Sequence, residues 1–347
     1  MNILSGKAAP GRPTMSARAL SVLTQEISTV LLILLVIACM VLSPDFMTRG
    51  NMQNLADQLP AYGILAVGQM LAIITGGIDL SVGSMLAIGA FFCASQSYHG
   101  LLAAIVAPIV VCGLIGMVDG LAIAFTRVPP FIITLAMLSI ARGISLQAAA
   151  IYHGAASSGS GAEAVSVDST SLVTQIDQKS ILGLPLGLYI MVVVFLAVAY
   201  VLRYTSFGRH LYALGGNEAA ALLLGVRVRR VKVILYTLTG MLSGLAGVVF
   251  AARLASAPPT AGQGYELISI TAVVVGGALL TGGVGTMRGT AIGLLVVGIL
   301  PNIFDLLRIG QDWQQVARGS VLLGVVLVQL LVLPMTRIGG IRVRAHE

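Results

Sequence analysis

The chain has 347 residues, of which 57 % are hydrophobic and 10 % charged, with a mean hydropathy of +0.97. Those values exclude an ordinary soluble domain and define an integral membrane protein. Only 20 Lys and Arg stand against 13 Asp and Glu, and no nucleic-acid partner is expected. A helix needs about 20 apolar residues to cross a bilayer, so this length accommodates about ten spans with short connections. The 41 glycines exceed the usual share and suit closely approaching helices. The expected fold is all-α, a polytopic membrane helical bundle of about ten transmembrane helices.

In chain order, residues 1–26 carry Lys7, Arg12 and Arg18 ahead of the first apolar run and read as a cytoplasmic tail. Spans are predicted near 27–42, 58–75, 82–95, 101–125, 131–150, 184–202, 233–252, 267–280, 289–306 and 316–333 within a transmembrane domain of 27–336. Residues 151–183 form an external loop and 337–347 a second tail. Most of the basic residues then fall on one side, which is cytoplasmic by the positive-inside rule, with both termini there. Arg49, Arg142, Lys179, Arg253, Arg308 and Arg318 remain outside that set.

The longest inner connection, 206–232, carries Arg209, Arg227, Arg229, Arg230 and Lys232. Within it, Asn217 can cap a short helix starting at Glu218, and Gly225 can close it. Such a helix between two spans is a handle for a partner; an ordinary solvated loop is the other reading.

Two stretches interrupt the apolar pattern: Ile74-Thr75-Gly76-Gly77-Ile78-Asp79-Leu80-Ser81-Val82-Gly83-Ser84 and Leu280-Thr281-Gly282-Gly283-Val284-Gly285-Thr286. Paired glycines at matched points of two halves mark broken helices in transporters, or tight interhelical turns. Ionisable residues in or beside spans are costly without partners. Asp79, Asp119 and Glu266 lie near span ends, where capping or interhelical hydrogen bonds are the expected roles. Gln58, Gln69, Thr134 and Asn302 are candidates for a pathway that exchanges hydrogen bonds with a polyhydroxylated solute, and Phe131 opens the fifth span beside Thr134. Pro60 and Pro301 can open backbone carbonyls near Gln58 and Asn302.

No Gly-x-x-x-x-Gly-Lys-Ser/Thr occurs, so no P-loop is present, and the four histidines have no metal-ligand spacing. Neither an enzyme motif nor a metal site is expected. An ion-coupled carrier using Asp79 or Asp119 and a pump subunit with a docking handle both remain open.

The chain resembles the permease subunits of bacterial ABC importers for ribose, xylose, arabinose, galactose and related sugars, from Ser43 to about Leu330. The resemblance rests on Gly68-Gln69 with the Thr75–Ser84 stretch, Val128-Pro129-Pro130-Phe131-Ile132 with Ala141-Arg142-Gly143, and Gly215-Gly216-Asn217-Glu218-Ala219-Ala220 with Gly225. It extends to Gly264-Tyr265-Glu266-Leu267, Gly276-Gly277, Gly282-Gly283 and Gly289-Thr290. The resemblance implies an inner-membrane location, a second permease copy or related chain, and a periplasmic sugar-binding protein. It also implies a cytoplasmic ABC ATPase that holds the ATP and Mg, with no cofactor on this chain. Asn217, Glu218, Ala219, Ala220 and Gly225 match the coupling-helix motif, while Gly76, Gly77, Asp79, Ser81, Gly83, Glu266, Gly282 and Gly283 are expected to be structural glycine-turn and polar positions. Ala221-Leu222-Leu223-Leu224 is more apolar than the family's usual version, which suits burial in a groove.

Overall fold

The computed structural model describes residues 17–152, 163–174, 176 and 180–336. The expected tails therefore lie largely outside the described residues, as do His153 to Ala162 of the external loop. Among the described residues there are twelve α-helices. They are α1 (Ala17–Leu42), α2 (Arg49–Ile74), α3 (Val82–Gln96), α4 (Leu101–Phe125), α5 (Pro130–Tyr152), α6 (Leu186–Tyr204), α7 (Ser206–Gly216), α8 (Glu218–Leu223), α9 (Val228–Leu254), α10 (Tyr265–Val275), α11 (Met287–Leu306) and α12 (Gln311–Thr336). A 3-10 turn (Ser97–His99) and four two-residue strands complete the set: β1 (Val165–Ser166), β2 (Ser180–Ile181), β3 (Leu184–Pro185) and β4 (Ser256–Ala257). β1 pairs antiparallel with β4, and β2 with β3.

Every expected span corresponds to a helix, but their lengths differ from expectation in a patterned way. By length and composition α2, α4, α5, α6, α9 and α11 can each cross a membrane. In contrast α3 has 15 residues and α10 has 11, about 22 and 16 Å at 1.5 Å per residue, short of a hydrocarbon core of about 30 Å. These are the helices next to the two glycine-rich breaks. The expected span 267–280 is corrected at its end: α10 stops at Gly276, because Gly277 turns left-handed at φ +89°. At the other extreme α1 starts at Ala17, so the helix reaches ten residues further into the expected tail than the apolar run itself. Thr48 starts α2 well ahead of Gln58, its hydroxyl accepting from the amide of Asn51.

The core centres on α2, which is buried along most of its length, and on α9. α9 presents Gly240, Gly244 and Gly247 to α3 and α4, while α4 presents Gly116 and Gly120 to α9. A Cβ on Gly240 would collide with the Cys112 carbonyl oxygen, one on Gly244 with that of Pro108, and one on Gly116 with that of Tyr236. Backbones therefore touch backbones, and dispersion over this close contact takes the place of a hydrophobic drive that lipid cannot supply. The outer helices α4, α5 and α6 expose Leu102, Val118, Leu135, Ile144, Val193 and Leu196, as surfaces that face acyl chains must.

The external segment folds back on the bundle: β1 pairs with β4, and the Asp168 amide donates to the Ser97 hydroxyl at 2.8 Å. Beyond β4, residues 258–264 descend between α3 and α5. Arg142 holds them by donating to the carbonyls of Pro259 and Ala261 at 3.1 and 2.8 Å, and the Ser145 hydroxyl donates to Pro259 at 3.2 Å. α10 thus begins inside the bundle.

Filling the α4–α9 contact is expected to be costly. Gly240→Leu should destabilise the folded protein by about 3 kcal/mol or more, whereas Gly143→Ala, with open space around its Cα, should stay within about 0.5 kcal/mol. Thermal unfolding of both variants in detergent measures the difference.

Candidate functional site

Helix α8 forms where the sequence supplies both of its ends. The Asn217 side chain accepts from the amide of Ala220 at 3.0 Å, and Glu218 places a carboxylate in the first turn. At the other end Gly225 takes φ +83°, its amide donates to Leu222 O, and the amide of Val226 donates to Ala221 O. This is a Schellman closure with glycine at the left-handed position. Ala221 is buried, but Leu223 and Leu224 are 90 % and 82 % exposed with Leu222 beside them, so no part of the described chain covers this apolar knob. Glu218, Ala219 and Ala220 are exposed as well, and Glu218 pairs with Lys232 at 2.8 Å.

The preceding helix α7 braces α8 against both glycine breaks. Its Gly215 lies against the carbonyl of Ile74 and within 2.6 Å of Gly283 N, measured from the place of a Cβ. Only glycine fits there. Tyr212 on the same helix donates its hydroxyl to Gly285 O at 2.8 Å. The two breaks meet each other at the same point: Gly283 N donates to Ile74 O at 2.8 Å, and Gly76 and Gly282, at φ +77° and +86°, pack backbone to backbone. The Ile74 carbonyl is one that a helix end leaves open, and inside a membrane it must find a partner.

Next to the first break lies a buried polar cluster. Asp79 Oδ1 accepts from both the amide and the hydroxyl of Ser81, at 3.0 and 2.5 Å, and Oδ2 accepts from the Thr239 hydroxyl at 2.9 Å. Gln69, with its amide oriented to suit both partners, donates to Asp79 O at 2.9 Å and accepts from Asp79 N at 3.2 Å. Asp119 Oδ2 stands 3.4 Å from the Ser81 hydroxyl. That hydroxyl donates to both carboxylates, more closely to Asp79, and so links the first break to α4.

A cavity of about 810 Å³ opens between α2, α10, α11 and α12. Gln58, Tyr62, Arg253, Gln263, Tyr265 and Glu266 line it, with Asp305, Gln314 and Arg318 on the other side. The rings of Tyr62 and Tyr265 stand 4.5 Å apart, tilted by 59°. Glu266 Oε1 accepts from the amide of Gly264 at 3.2 Å and so caps α10, while its other oxygen sits against Gly83, where a Cβ would overlap it. Arg253 ends α9 and Val228 begins it. A helix of this length spans about 40 Å, so the cavity and α8 lie at opposite ends of the molecule.

Of the expected pathway residues, Gln58 lines this cavity and the other four lie elsewhere. Gln69 is fully buried on Asp79. The Thr134 hydroxyl donates to Ile78 O at 3.1 Å and holds the first break to α5. Asn302 exchanges reciprocal hydrogen bonds with Asn51, at 2.6 and 3.0 Å, and ties α11 to α2. Phe131 is half-exposed on the outer face of α5. The structure places Gln69, Thr134 and Asn302 in hydrogen bonds between elements and Phe131 at an exposed position: periodicity puts a polar residue in a span without saying which neighbour it meets. Tyr62, Tyr265, Arg253 and Arg318 were not singled out as pathway residues, although the two arginines belong to the basic set left over by the charge asymmetry. Among the described residues no group of His, Cys, Asp and Glu could hold a metal ion.

This architecture, helices bordering glycine breaks with a capped helix outside the bundle, is that of a polytopic membrane permease. The chain belongs to the family described as "Branched-chain amino acid transport system / permease component", whose model matches residues 51–328. It is 41 % identical over 308 residues to the ribose import permease protein RbsC of Escherichia coli K12, covering 88 % of this chain and 94 % of that one. It is 40 % identical over 299 residues to RbsC of Bacillus subtilis, with 86 % and 90 % covered. Similarity to the L-arabinose ABC transporter permease AraH of Azospirillum brasilense is 34 % over 286 residues, covering 82 % and 81 %. No solved structure matches the chain significantly.

Asp79 accepts three hydrogen bonds in this cluster and Asp119 one long one, so the loss of the two carboxylates should differ in cost. Asp119→Asn should change stability by less than about 1 kcal/mol. Asp79→Asn, which points an amide at the donors of Ser81 and Thr239, should cost about 2 kcal/mol. Comparing the two melting temperatures checks this, and equal losses would argue against Asp79 as the anchor of the cluster.

Proposed function

We propose that this chain is the membrane permease subunit of an ATP-driven ABC importer, passing a monosaccharide delivered by a periplasmic binding protein. Hydrolysis belongs to a separate cytoplasmic ATPase that binds ATP and Mg, so the chain itself is not an enzyme. Two permease subunits, copies of this chain or this chain with a relative, enclose the pathway in the inner membrane, with both termini cytoplasmic. The observation that carries the reading is the capped, uncovered α8 with its Leu222–Leu224 knob, braced through α7 on the junction of the two breaks. An apolar knob on a water-facing helix is a liability unless a groove receives it. The similarity to ribose and arabinose import permeases supports a pentose or related sugar as the cargo.

In this mechanism nucleotide binding closes the ATPase halves and carries α8 with them. α7 transmits the displacement to the Gly76–Gly77 and Gly282–Gly283 turns, where left-handed glycines let the short helices α3 and α10 reorient. The far mouth opens to receive solute, and hydrolysis resets the bundle. Asp79 and Asp119, held within Ser81 and Thr239, support the breaks and carry no coupling ion.

Leu223→Asp tests the reading. Leu223 is exposed, so stability should stay within about 0.5 kcal/mol, while an ATPase that copurifies with the wild-type chain is lost and ATP-driven sugar uptake falls by about tenfold or more. Glu218→Arg, which breaks only a surface ion pair, should have the same effect. Normal uptake by both variants would falsify the assignment of α8.

A further inference from the structure

The cavity at the end opposite α8 holds a set of polar side chains that the described residues leave largely unsatisfied. The side chains of Gln58, Arg253 and Gln263 make no hydrogen bond among the described residues, although each residue lines the same space. Arg318 spends only its Nε, on Gln314 O at 3.3 Å. Lys232–Glu218 is the one close ion pair among the described residues, so neither guanidinium is in direct contact with a carboxylate, although Arg253 lies near enough to Asp57 to interact with its charge. The charges on the wall nevertheless balance, Arg253 and Arg318 against Glu266 and Asp305.

Such a lining selects by chemistry. A wall with no net formal charge gives no advantage to an anionic sugar phosphate or a cation. Forked amides and guanidiniums supply paired donors, and the amide oxygens accept, which matches adjacent hydroxyls on a ring. The tilted Tyr62–Tyr265 pair, backed by Phe250 at 5.9 Å from Tyr265, offers the apolar surface that the C–H face of a pyranose or furanose needs. The volume lies in the range of small-molecule sites.

We infer that this cavity is a receiving subsite for a neutral monosaccharide at the outer mouth of the permease, with Tyr62 and Tyr265 taking the C–H face and Gln58, Arg253 and Gln263 the hydroxyls. The inference rests on the import reading above and adds to it where in the chain the solute is first held. Neutrality and the partial exposure of the site make the hold weak, as transit requires. The floor of the cavity is the start of α10 and its cap, Glu266, which packs on Gly83 at the start of α3. A sugar seated there rests on both short helices that border the breaks.

The test uses the assembled complex with its own ATPase and binding protein in proteoliposomes, with radiolabelled ribose and arabinose as probes. Arg253→Gln and Tyr62→Ala should lower uptake at saturating binding protein by about tenfold, while the stimulation of ATP hydrolysis by loaded binding protein stays within twofold. Tyr62→Phe should restore at least half of the rate. Two results overturn the subsite: uptake within twofold of wild type in both variants, as expected for a cavity filled by lipid or by a second copy, or uptake and stimulated hydrolysis falling in parallel. Should Tyr62→Ala not fold, Arg253→Gln decides alone, because that guanidinium makes no hydrogen bond or close ion pair among the described residues. If the wild-type complex accumulates neither pentose with ATP, the import reading fails and the subsite with it; wild-type uptake with unaffected variants removes the subsite only.

Discussion

The contact on which the rest of the structure depends is the hydrogen bond from the amide of Gly283 to the carbonyl of Ile74, closed over by Gly215. A helix that ends within a membrane protein leaves carbonyls open, and an unmet one in that setting costs several kcal/mol. Here the open carbonyl of α2 is met by the break after α10, so two interruptions far apart in sequence satisfy each other. Three left-handed glycines, at 76, 282 and 283, let the chains approach without Cβ atoms between them. A helix that docks on this junction touches both halves of the bundle at once. That is the position of α7, and α8 is its continuation.

Rigid and deformable parts are separated accordingly. The α4–α9 interface, packed backbone on backbone through glycines at 116, 240 and 244, has no room to slide without clashes. The junction, by contrast, consists of short turns flanking helices only 15 and 11 residues long. Asp79 and its donors tie the first turn to α9 through Thr239, and Thr134 ties it to α5. The turns are therefore braced at rest and can move only with their neighbours, which suits a bistable device driven from outside.

Much of this was legible in the sequence, for identifiable reasons. Hydropathy locates spans because the bilayer imposes a length, and capping chemistry fixed α8 at both ends because Asn217 and Gly225 act on adjacent backbone. The two Thr-Gly-Gly turns were visible as a pair, though not their contact, which no local pattern encodes. Gln69, Thr134 and Asn302 illustrate the limit: each is polar and within a span, but its partner comes from another helix, so pathway and structural roles look alike in one dimension. The cavity was hidden for the same reason, since Tyr62, Arg253, Tyr265 and Arg318 come from α2, α9, α10 and α12 and carry no shared motif.

The most direct measurement is uptake of labelled ribose and arabinose into proteoliposomes that hold this chain with its copurified ATPase, supplied with binding protein, in the presence of a protonophore and a sodium ionophore. ATP-dependent accumulation that survives collapse of both ion gradients is the predicted result. Accumulation that needs an ion gradient and ignores ATP would contradict it and return Asp79 and Asp119 to the role of coupling carboxylates.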